Sequence, residues 1–181
     1  MKVRLHPSAI LWLSVLGYLR PKIVFPFLLS AVLHELGHAL MLLWLGQAPR
    51  EICFRLEGAR METPPLSYRQ ELLCAMAGPV VSLLLGLTLP VFPMLGGYSL
   101  CLGLFNLLPL GSLDGGRMLR CILLLHMPEG RALKICQFVN MLTGIFLLLP
   151  GLLLCVVFHM GIWPLLISGL LCGKALTDGL L

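Results

Sequence analysis

Long apolar runs, separated by short polar and mostly basic stretches, set the pattern of this chain. Six runs can be marked: Leu5–Leu19, Ile23–Leu45, Leu72–Leu95, Ser99–Leu125 with an interruption, Ile135–Phe158 and Ile162–Leu176. A helix needs ~20 apolar residues to cross the hydrocarbon of a bilayer. The pattern therefore predicts an all-α membrane protein of about six transmembrane helices. The last two runs are separated only by His159-Met160-Gly161. Met1 to Arg4 is basic and leads into apolar sequence, as a secretory signal does. No small-residue cleavage site follows, and Arg20-Pro21-Lys22 runs straight into the second apolar segment, so the first run is read as a retained helix.

One long polar stretch, Gly46–Gln70, lies between the second and third runs. Glu51-Ile52-Cys53-Phe54-Arg55-Leu56-Glu57 partly alternates polar with apolar, and Gly58 offers a turn. This predicts a short hairpin or loop associated with the membrane between helices 2 and 3. Pro64-Pro65 ends any extended element.

Composition agrees with the runs: 59% of the 181 residues are hydrophobic and 12% are charged, with a mean hydropathy of +0.97. Soluble domains carry about twice that charge. Six spans would use nearly all of the chain, so residues 1–181 are expected to form a single transmembrane domain with no CBS or PDZ domain. Of the 13 basic residues, six spans with the N-terminus inside would leave only Arg20 and Lys22 outside. That bias places both termini in the cytosol. The net charge of +5 is spread between apolar runs without interleaved aromatics, so no nucleic-acid partner is expected. The seven cysteines form no Cys-x-x-Cys pair and read as small buried hydrophobes.

Chemistry enters through the acidic residues. Of eight, only Glu35 and Asp114 sit inside apolar segments. An ionisable group near the bilayer centre costs roughly 2.5–3.5 kcal/mol even on the lenient insertion scale, and a divalent cation would compensate both. Glu35 belongs to His34-Glu35-Leu36-Gly37-His38. Histidines four apart share a helix face and can reach one ion, and the glutamate beside the first can take a proton from water. A catalytic zinc needs a third ligand. His6, His126 and His159 lie near segment ends. Asp114 lies in Asn106-Leu107-Leu108-Pro109-Leu110-Gly111-Ser112-Leu113-Asp114-Gly115-Gly116, where Pro109 and the glycines weaken a helix. Broken backbone at membrane depth belongs beside protein or a wet cavity, where an aspartate can turn toward a metal. Asn106 can hydrogen-bond substrate or a developing oxyanion, or pack between helices.

The His-Glu-Leu-Gly-His helix followed by Asn-x-x-Pro-x-x-x-Leu-Asp-Gly-Gly resembles the site-2 protease family of intramembrane metalloproteases. Leu5-His6-Pro7, Ala77-Gly78-Pro79 and Asn106-Leu107-Leu108-Pro109 resemble the sporulation branch of that family, which matures the sigma-K precursor. The resemblance implies Zn2+ held by His34, His38 and Asp114, with Glu35 catalytic and Asn106 and Pro109 near the substrate. It also implies a six-span core in a bacterial cell membrane, a membrane-associated protein substrate such as a sigma-factor precursor or an anti-sigma factor, and inhibitory membrane partners. The sporulation branch usually carries a C-terminal CBS domain, which these 181 residues do not contain, and Arg55–Met61 lacks the double glycine often found there.

Two other functions use the same residues. A divalent-metal transporter also places histidines and aspartates within the membrane, but it gains little from a glutamate beside a ligand. A non-catalytic homologue that binds substrate would not need the complete motif set.

Overall fold

The computed structural model describes residues 2–5, 21–47, 51–55, 58–62 and 65–156, together with 162, 165–166, 168–170 and 172–173. Most of the first apolar run and nearly half of the sixth lie outside the described residues, as do His6 and His159. The chain divides into two compact units, residues 1–105 and 106–181.

In the first unit, strand β1 (Lys2–Leu5) pairs in parallel with β2 (Glu51–Arg55). β2 pairs antiparallel with β3 (Gly58–Glu62). The three form one sheet in chain order. Leu5 opposes Phe54 and closes a strand instead of opening a helix. Gly58 is already paired with Arg55 as the first residue of β3.

Helix α1 spans Pro21–Trp44. Helix α2 spans Tyr68–Gly86, and its start is fixed by a capping box. The Ser67 backbone N–H donates to Gln70 Oε1 at 3.0 Å, and the Gln70 N–H reaches back to Ser67 Oγ at 3.4 Å. Helix α3 spans Pro93–Asn106. The third apolar run was expected to continue to Leu95, but α2 ends at Gly86 and residues 87–92 form turns. Pro90 and Pro93 account for this, because each lacks the N–H that a continuing helix would need and Pro93 suits a first helical position.

The contact between α1 and α2 is close. A Cβ on Gly37 would lie 2.9 Å from both the Ala77 carbonyl oxygen and Val81 Cγ2. α1 meets α3 through two fully buried serines, with the Ser99 hydroxyl donating to Ser30 Oγ at 2.9 Å. Ser30 in turn donates to the Pro26 carbonyl one turn earlier at 2.9 Å. Buried hydroxyls joined in this way leave no orphan polar group between apolar helices.

The second unit holds α4 (Asp114–His126) and α5 (Glu129–Val156). α5 begins six residues before its apolar run. Pro128 precedes it, Glu129 supplies the acidic first turn, and the Arg131 N–H donates to the Pro128 carbonyl.

Six spans are not all found among the described residues. Among the described residues two helical stretches, Lys22–Trp44 and Glu129–Leu153, are long and apolar enough to cross a membrane. Only 22% and 17% of those windows are buried, so their apolar side chains face outward. The apolar part of α2, from Leu72 to Gly86, rises roughly 22 Å at 1.5 Å per residue. That falls short of a hydrocarbon core of about 30 Å. α3 and α4, with 14 and 13 residues, are shorter still.

Candidate metal centre

Helical spacing in α1 puts His34 and His38 on one face. Both are buried, 4% and 6% exposed. Their Nε2 atoms face each other at 3.2 Å, with the rings 78° from parallel. The far side of each ring is engaged by α2. His38 Nδ1 lies 2.7 Å from the Cys74 carbonyl oxygen, and His34 Nδ1 lies 2.8 Å from Ser82 Oγ. A carbonyl only accepts, so His38 Nδ1 carries the proton, and in the neutral ring Nε2 carries the lone pair.

Cys74, Gly78 and Ser82 follow at steps of four and form one stripe along α2. Gly78 sits opposite the point where the rings meet. A Cβ there would collide with His38 Nε2 and lie 2.7 Å from His34 Nε2. Two imidazoles with outer nitrogens held by protein and inner nitrogens converging is the arrangement in which histidine binds metal.

Glu35 follows His34 on α1 and is partly buried. Asp114 opens α4 and is 7% exposed. Its Oδ1 lies 3.6 Å from the Arg117 guanidinium, one turn later on the same helix. The glycines beside it do not break the helix: Gly115 and Gly116 lie in its first turn. Their role is space, since a Cβ on Gly115 would collide with the Leu107 carbonyl and one on Gly116 with the Leu110 carbonyl. The connection 107–113 thus folds back against the start of α4. Asn140 of α5 fixes it, its buried Oδ1 accepting the Gly111 N–H at 3.0 Å.

His34 and His38 in the first unit and Asp114 in the second are all buried. Of the other histidines weighed, His126 ends α4 and spends its Nδ1 on the Ile122 carbonyl at 2.8 Å in an exposed position. Asn106 ends α3, Pro109 lies in the connection to α4, and both are partly buried. Two further polar residues within apolar runs, Ser82 and Asn140, take part, and the motifs do not mark them. Gly78 falls in Ala77-Gly78-Pro79, which does not signal its steric role. Six described cysteines are free thiols.

Residues 88–150 match the family model of Peptidase family M50. A zinc metalloprotease of Methanocaldococcus jannaschii is 32% identical over 138 residues, which is 68% of this chain and 41% of that protein. The chain thus spans about two fifths of that relative's length. Among solved structures, the site-2 protease from Methanocaldococcus jannaschii aligns with a TM-score of 0.67 at 27% identity, over 98% of this chain and 90% of that one.

Proposed function

We propose, from the match of residues 88–150 to Peptidase family M50 and the likeness to a site-2 protease, that this chain is a zinc endopeptidase of that family working within a lipid bilayer. The histidine pair carries this reading: two buried rings, each held at Nδ1, turn their Nε2 atoms to one point that Gly78 leaves open. Imidazole nitrogens with a carboxylate oxygen suit zinc. His34, His38 and Asp114 are the residues assigned to hold it. When bound, zinc supplies Lewis acidity that polarises a carbonyl and brings the pKa of water toward neutrality.

Glu35 is the general base. Its carboxylate takes a proton from the water whose oxygen attacks the scissile carbonyl carbon. It then passes that proton to the amine nitrogen as the C–N bond breaks. A helical substrate must unwind before attack, because its peptide groups are bonded to one another. Asn106 and Pro109 are assigned to the substrate path, and β3, at one border of the sheet, offers its outer edge to an unwound stretch. The likeness of Leu5-His6-Pro7 and Ala77-Gly78-Pro79 to the sporulation branch makes a membrane-associated sigma-factor precursor the first candidate substrate. An anti-sigma factor is the second, with inhibitory membrane proteins as regulators. The proposed setting is a bacterial cell membrane, with residues 1–181 forming one domain of about six spans and both termini in the cytosol.

The test is co-expression with a candidate sigma precursor, comparing the wild type with Glu35→Gln. The variant is expected to retain wild-type zinc content while cleavage falls roughly 10²–10⁴-fold, the share that a positioned base supplies. Full cleavage by the variant would remove the proposed mechanism.

A further inference from the structure

The described site contains one polar side chain with no place in the family reading above. Ser82 is fully buried on α2, and its hydroxyl meets His34 Nδ1 at 2.8 Å. We propose that Ser82 is the positioning residue for His34, setting which ring nitrogen is presented to the metal. This rests on the reading of His34 as a ligand.

The two histidines are held by different kinds of partner. The partner of His38 is the Cys74 carbonyl oxygen, which cannot donate. His38 therefore keeps its proton on Nδ1 and its lone pair on Nε2 in every neutral state. The partner of His34 is a hydroxyl, which can both donate and accept. Across the 3.2 Å between the rings, the His34 tautomer with its proton on Nε2 donates to the His38 Nε2 lone pair. Ser82 then donates its O–H to His34 Nδ1. With a metal between the rings, both Nε2 atoms must offer lone pairs. The His34 proton then sits on Nδ1 and donates to Ser82 Oγ. The ring loses a proton at one nitrogen and gains one at the other, so its charge is unchanged. A hydroxyl satisfies both arrangements without moving, whereas a methyl group satisfies neither. A carbonyl in its place would lock His34 in one form.

Ser82 is not replaceable by bulk. Gly103 of α3 packs against it so closely that a Cβ on the glycine would lie 3.0 Å from Ser82 Cβ. The informative change is therefore Ser82→Ala, which removes only the oxygen. Ser99→Ala is its control. Ser99 is also fully buried, on α3 of the same unit, and its hydroxyl bonds to Ser30 rather than to a histidine.

The experiment measures zinc affinity of the full purified chain in detergent by competition with a chromophoric chelator. Ser82→Ala is expected to bind zinc about 10–100-fold more weakly, the usual cost of removing the partner behind a metal histidine. Ser99→Ala is expected to stay within about twofold of the wild type. Wild-type affinity in Ser82→Ala, or an equal loss in Ser99→Ala, would overturn the positioning role while leaving the metal site standing. A wild type that binds no zinc would instead remove the metal reading itself. Should Ser82→Ala not fold, long-range ¹H–¹⁵N correlation of the histidine rings in the wild type decides. On zinc loading the His34 ring proton is expected to move from Nε2 to Nδ1, while the proton of His38 stays on Nδ1. A His34 proton on Nδ1 both before and after loading would refute the proposal.

Discussion

At the residue scale, the informative contrast is between groups that are costly in an apolar helix and groups that are cheap. His34, Glu35, His38 and Asp114 stand out in the sequence because ionisable groups inside apolar runs need a compensating partner. The groups that hold the histidines do not stand out, because a serine, a glycine and a backbone carbonyl cost little in such a run. Cys74 holds the His38 ring through its carbonyl oxygen, which no side-chain pattern can signal. Gly78 contributes only the absence of a methyl group. Its effect can be measured. Gly78→Ala is expected to empty the site of zinc while helix content by circular dichroism stays near wild type, since alanine favours helix over glycine by up to about 1 kcal/mol. Wild-type zinc content in that variant would show that the rings do not converge on the point opposite Gly78.

At the element scale, apolar content read the helices well and their ends poorly. α1 was legible to within a few residues. The third run was not, because leucines and prolines mix at Leu87–Phe92 and mean hydropathy does not register the missing N–H groups that stop α2. The interruption near Asp114 was legible from Pro109 and the glycines. The sequence reading took the glycines as helix weakeners, whereas they admit two carbonyls against the first turn of α4. That the connection is tied to α5 could not be read from local sequence, because Gly111 and Asn140 are 29 residues apart. Asn140→Ala would leave the exposed Gly111 N–H to water, at a cost of about 0.5–1.5 kcal/mol, the net worth of one hydrogen bond. A lowered thermal midpoint is expected, with zinc lost at a lower denaturant concentration than in the wild type. An unchanged midpoint would mean that the 107–113 connection is held by other contacts.

At the scale of the whole molecule, composition spoke for a bilayer. Large apolar side chains such as Phe25, Trp44, Phe138 and Phe146 are exposed along α1 and α5. A surface of that kind marks contact with lipid or another apolar partner. The number of spans was less legible. An apolar run reports how much chain avoids water and not whether one straight helix carries it; α3 and α4 are too short to span, and α2 begins with the polar turn Tyr68–Glu71. The family likeness adds what neither pattern nor packing gives, since the same helices could house a transporter of divalent ions.

Zinc K-edge X-ray absorption on the stoichiometrically loaded full chain reads the donor set proposed for the ion, two imidazoles and a carboxylate. Two imidazole nitrogens at about 2.0–2.1 Å with the remaining positions filled by oxygen are expected, and Asp114→Ala is expected to reduce the zinc bound. A sulfur shell near about 2.3 Å, or a spectrum without imidazole scattering, would place the metal elsewhere and contradict that donor set.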